Sequence, residues 1–103
     1  MKPEINFMIH DWMHKKLMLK GPRLLVCAYL FSARKGSEKY RTARELYQNL
    51  PIGKRTVFKA LEFLITEKIV IYKTITKDDY PVRHYRFEEE FVFNKVFNNV
   101  LKN

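Results

Sequence analysis

The stretch TARELYQNLPIGKRTVFKALEFLITEKIV, residues 42–70, constrains this chain more than any other. It reads as two short helices around a tight turn, followed at once by a strand. Thr42-Ala43-Arg44-Glu45 has the form of a capping box, in which the threonine oxygen accepts from the amide of Glu45 and the glutamate reaches back to the amide of Thr42. A helix therefore starts at Thr42, with Ala43, Leu46, Tyr47 and Leu50 spaced along one buried side, and Pro51 prevents it from continuing. Leu50-Pro51-Ile52-Gly53 is the turn. A second helix runs from Lys54, with Val57, Ala60, Leu61 and Leu64 inward and Lys54, Arg55, Phe58, Lys59 and Glu62 outward. Its inner face is apolar and its outer face mostly basic.

The rest of the chain carries the same bias. At 103 residues it fits one domain, and 47% hydrophobic residues, 15% of the total being aromatic, fill a core without disulfide or metal staples. Twenty Lys and Arg against eleven Asp and Glu give a net charge of +9 and a sequence pI of about 9.8, which points to a polyanionic partner. Excess lysine also keeps small proteins soluble, so the placement of the charge decides. The lone Cys27 lies in an apolar run with no base beside it, as a small core residue does, and not as a catalytic thiolate. No apolar run approaches membrane-spanning length, and the first residues lack the form of a signal peptide, so a cytoplasmic protein with no membrane association is expected.

No repeat or linker divides the chain, so residues 1–103 are expected to form one domain. Residues 1–20 form an apolar arm with a short helix around Asp11 to Leu17. Residues 22–34, opened by Gly21-Pro22, are apolar around most of the circumference and predict the central buried helix. Glu38 to Arg41 supply a brief extended segment, and residues 42–64 hold the paired helices. Residues 69–87 read as two strands around the turn Lys77-Asp78-Asp79-Tyr80-Pro81, with Val82, His84 and Arg86 on one face and Arg83, Tyr85 and Phe87 on the other. Residues 88–101 form a last helix, its three opening glutamates complementing the helix dipole. The fold class is α+β, mostly α.

The order of helices, paired helices and β-hairpin, with the run GKRTVFKALEFLITEKIV at residues 53–70, resembles the winged helix-turn-helix of bacterial and phage DNA-binding regulators. It is also similar to the winged-helix domain of phage and plasmid replication initiators, where a Trp-Met and an apolar helix precede the motif as Trp12-Met13 and the run from Leu24 to Phe31 do here. The resemblance covers about half the chain. In this sequence Gly53 stands where relatives usually have a serine cap, and Lys68 where they usually have glycine, so the end of the second helix must be made another way.

What the resemblance implies is double-stranded DNA binding by insertion of the helix from Lys54 into the major groove. Arg55 is the best candidate for reading guanine, because its planar fork grips two acceptors at once, worth about 1–3 kcal/mol of discrimination. Lys54 and Lys59 meet guanine acceptors or phosphates, Thr56 shares the same turns, and Gly53 lets the backbone approach a phosphate. Phe58 either touches a thymine methyl or packs on Tyr47. Arg41 and Arg44 are phosphate candidates at the first motif helix, and Lys73, Lys77 and Arg83 on the hairpin, although Asp78 and Asp79 would repel phosphate.

Enzyme signatures are absent from the sequence: it has no Gly-rich phosphate loop, nucleophile elbow or paired carboxylates with a partner motif. His10 and His14, with Asp11 or Cys27, are too few for a zinc site, so no metal and no cofactor are expected. Three readings stand: a transcriptional regulator on a near-palindromic operator, a replication-initiation module, and a winged helix that meets an acidic protein. A homodimer is expected from the apolar set Trp12, Phe93, Val96, Phe97, Val100 and Leu101; the alternative is a last helix folded back to close a monomer's core.

Overall fold

The computed structural model describes residues 8–36 and 39–98. Within them a 13-residue helix, Gly21–Ala33, buries Val26 to Phe31 and Ala33, so it needs cover on nearly every side, and the other elements are laid against it. In chain order these are α1 (Asp11–Lys15), α2 (the buried helix), β1 (Arg41–Thr42), α3 (Ala43–Asn49), α4 (Lys54–Thr66), β2 (Val70–Lys77), β3 (Tyr80–Phe87) and α5 (Glu89–Phe93), which continues as a π-helical stretch over Asn94–Asn98. The chain is a small α+β domain with a three-stranded antiparallel sheet in the order β1-β3-β2. Gly21 opens α2 with φ of +54°, a conformation that suits glycine, and Pro22 follows in the first turn.

One polar link ties α2 to α3. The Thr42 hydroxyl oxygen accepts the Glu45 amide at 3.2 Å, half of the expected capping box. The other half differs, because the Glu45 carboxylate accepts the Tyr29 hydroxyl at 2.7 Å and Arg41 Nη1 at 3.2 and 3.3 Å. A phenol emerging from the core needs a partner, and a charged acceptor holds it more strongly than a second backbone amide would hold the carboxylate. Burial first, then this bond, raises the Tyr29 pKa. Leu50 is extended, as the residue before a proline is, and both Leu50 and Ile52 pack on the core, which sets the turn into α4. Val57, Ala60, Leu61 and Leu64 are buried as expected.

The end of α4 corrects the expectation about Lys68. Lys68 adopts φ of +62°, donating its amide to Ile65 O at 3.0 Å while Ile69 donates to Leu64 O at 2.9 Å. That is the left-handed Schellman cap that glycine usually makes, built here with a lysine because the burial of Ile69 fixes the path of the chain. The hairpin turn is shorter than expected: Asp78 and Asp79 alone form it, both with positive φ, and Tyr80 and Pro81 belong to β3. Register pairs Tyr72 with Tyr85 and Val70 with Phe87, and these face the helices, whereas Lys73 pairs with His84 on the opposite face. Beyond Ile71 all of β2 is exposed, so the hairpin projects into solvent.

The terminal elements close the core from the other end. Trp12 meets Phe31, Phe87, Phe93 and Phe97 edge-on at 5.3–6.3 Å, and Val92 and Val96 are buried. Trp12, Phe93 and Val96, expected on a dimer face, are thus taken up by the chain's own core, with Phe97 still 44% exposed; Val100 and Leu101 lie outside the described residues.

Two stability measurements follow from these features. Lys68→Gly relieves the left-handed strain and should stabilise the fold by about 0.5–1 kcal/mol after the extra chain entropy of glycine, raising the thermal midpoint by several degrees. Burial pushes the Cys27 thiol from 9.0 to about 12. The unfolded chain therefore sheds a proton that the folded chain keeps, and stability falls as pH rises from about 9 towards 12, by at most about 1.4 kcal/mol per pH unit. Urea unfolding under reductant should show a shallower alkaline loss for Cys27→Ala than for the natural chain.

Candidate nucleic-acid interface

The outward face of α4 is a consequence of its inward one. Four apolar side chains against the core leave Lys54, Arg55, Phe58, Lys59 and Glu62 exposed on the other side. The helix opens at Gly53 without a side-chain cap and has no acidic residue in its first turn. Two cations therefore sit at the positive end of the helix dipole, an arrangement that costs about 0.3–1 kcal/mol per charge until an anion offsets it. Gly53 itself has φ of −79°, and a Cβ there would meet nothing within 4 Å. Neither backbone conformation nor packing within the chain calls for a glycine at this point.

The candidate cations divide into two groups. Arg41 is a strut: it pairs with Glu45 at 3.2 Å and is 20% exposed, so a phosphate would have to compete with an internal carboxylate. Arg83 pairs with Glu62 on α4 at 3.3 Å and lies 4.3 Å above the Tyr72 ring. This pair joins the hairpin to the third turn of α4. Lys73 lies 4.1 Å over the Tyr40 ring, on the sheet face opposite Arg83, and alternation puts Lys77 on that same face. The hairpin cations named from the sequence are therefore not brought together. By contrast, among the described residues Lys54, Arg55, Lys59 and Arg44 have no ion-pair partner.

Phe58 is 40% exposed, and no ring contact joins it to Tyr47 among the described residues. Thr56 is half-buried, on the flank of α4 that turns towards α2. On that flank Arg23 stacks on Phe63 at 3.6 Å. Arg23 escaped the sequence reading because it lies outside the paired helices; its place in the first turn after Gly21-Pro22 is the signal that could have found it.

Other chemistry is sparse. His14 Nδ1 lies 3.0 Å from Leu19 O, His10 stacks on Trp12, and no group of three metal-ligating side chains occurs among the described residues. An open groove of about 630 Å³ between α4, β2 and α5, bordered by Ile65, Tyr72, Phe91 and Glu90, lies beyond the basic face. No helix among the described residues is long and apolar enough to cross a membrane. Compared with known proteins, the chain matches no family model, and no curated protein matches it in sequence.

The contact between hairpin and α4 can be measured directly. With side chains 47% and 64% exposed, Arg83 and Glu62 should couple by only about 0.2–1 kcal/mol in a double-mutant cycle read by urea unfolding. A coupling well above that range would mean that the hairpin is clamped far more firmly than an exposed pair allows.

Proposed function

We propose that the protein binds double-stranded DNA as a small winged-helix regulator, laying α4 into the major groove. The observation that carries this reading is the unpaired cationic start of α4: an exposed helix whose first turn holds Lys54 and Arg55 with no acid and no capping side chain. Phosphates would supply the missing negative charge, and the uncapped amides beside Gly53 can donate to them. The order of elements, with the paired helices followed by a projecting hairpin, is compatible with a winged helix and supports the same docking.

In this docking Arg55, on the crest of α4, grips guanine O6 and N7, while Lys54, Lys59 and Arg44 take phosphates on either side of the groove. Phe58 offers its ring edge to a thymine methyl. Arg83 sets the hairpin beside α4 through Glu62, so its work is positional, and Lys73 and Lys77 face away from this groove. Asp78 and Asp79 at the hairpin tip keep that end off the backbone.

The test is fluorescence anisotropy of a labelled mixed-sequence duplex over a salt series, comparing the natural chain with Lys54→Ala/Arg55→Ala. Binding should weaken with salt, and the variant should bind less tightly, with a log–log slope shallower by about 0.9 for the lost Lys54 phosphate contact and a further loss of affinity from the missing Arg55 base contact. Absence of binding at low salt, or identical binding by the variant, would sink the reading.

A further inference from the structure

A second cationic surface lies on the flank of α4 opposite the hairpin. Here the first turn of α2 and the first two turns of α4 enclose a groove of about 270 Å³, with Lys20 and Arg23 on one side and Thr56 and Lys59 on the other. Pro22 and Ala60 form part of its apolar lining. Three cations thus converge on one small opening. Among the described residues none of them has an ion-pair partner, in contrast to Arg34, Arg41, Arg83 and Arg86, which all have one.

Two further features make the cluster more than a solvated lysine patch. Arg23 is held in place, its guanidinium carbon 3.6 Å above the Phe63 ring, a contact that uses the face of the guanidinium and not its N–H donors. Holding the fork in advance lowers the entropy lost when it grips an anion. The amides of α2 add to this: the helix opens without a side-chain cap and with no acid in its first turn, so Lys20 and Arg23 sit at the positive end of a dipole. The first turns of α2 and α4 share this pattern, and they border the same groove, whereas α1, α3 and α5 each carry an acid in the first turn.

We infer that this groove holds a phosphodiester of the duplex bound on α4, so that Lys20, Arg23 and Lys59 form a clamp on one DNA strand at the side away from the hairpin. The inference rests on the reading of α4 as the duplex-binding helix. A helix in the major groove is flanked by two phosphate walls. Arg44 and the start of α4 address one of them, and the α2–α4 groove addresses the other. The apolar lining suits a deoxyribose, and the Thr56 hydroxyl can donate to a phosphate oxygen.

The experiment uses the full chain with Lys20→Gln/Arg23→Met, in which methionine preserves the apolar cover over Phe63. Lys20→Gln alone, at an exposed position, guards against a folding defect, and thermal melting confirms that both variants fold. Duplex anisotropy should show a salt slope shallower by about 1.8 for the double variant and about 0.9 for the single, with affinity reduced more than about tenfold in the double variant near 0.1 M salt. Slopes equal to that of the natural chain, while Lys54→Ala/Arg55→Ala still lowers the slope, would overturn the clamp and leave the function of α4 standing. No duplex binding by the natural chain would overturn both. Thermal shifts in inorganic phosphate and in chloride at equal ionic strength separate the two sources of anion. A phosphate stabilisation lost in the variants, without any change in duplex binding, would assign a small-anion site and reject the clamp.

Discussion

The burial of α2 is the constraint on which the rest of the structure depends. A helix with seven consecutive or near-consecutive buried residues cannot stand at a surface, so α1, α4, the sheet and the C-terminal helical segment each present an apolar face to it. Burying a single large apolar side chain contributes about 1.5–3 kcal/mol, far more than any exposed ion pair here can. Once those inward faces are set, the outward faces follow from helical and strand periodicity. The basic crest of α4 is the remainder left by Val57, Ala60, Leu61 and Leu64.

Within that frame the cations serve two purposes. Arg41, Arg83 and Arg86 meet carboxylates or tyrosine rings and hold elements together. Lys54, Arg55, Lys59, Lys20 and Arg23 gather instead around the first turns of two helices, where like charge and dipole oppose each other. A local rule of helix electrostatics is broken twice on adjoining surfaces, and such violations are where function is expected. In the proposed complex, DNA phosphates offset both.

Much of this was legible in the sequence wherever the pattern had a strong period. Thr42 with Glu45, the spacing of Val57 to Leu64, and the apolar run of residues 24–31 all specify local geometry that the tertiary packing then uses. Most of what escaped depended on partners distant in the chain or on burial set by them. Glu45 turned to Tyr29, sixteen residues earlier, and Arg41, a phosphate candidate in the sequence, also pairs with it. The facing of Lys73 and Lys77 required the register of β2 on β3. The Lys68 cap escaped because a buried Ile69 outweighs the preference of lysine against positive φ. That Lys20 and Arg23 share one groove with Lys59 could be seen only when α2 was set beside α4.

The measurement that bears most directly on the central claim is a ¹⁵N-HSQC titration of the full chain with a short duplex at low salt. The account predicts that the largest amide shifts fall on residues 53–59 and on Arg23 and Leu24, with the amides around Lys73 and Tyr80 little changed. Shifts concentrated on the exposed half of the hairpin, or around Tyr72 and Phe91, would contradict it and move the binding surface off α4.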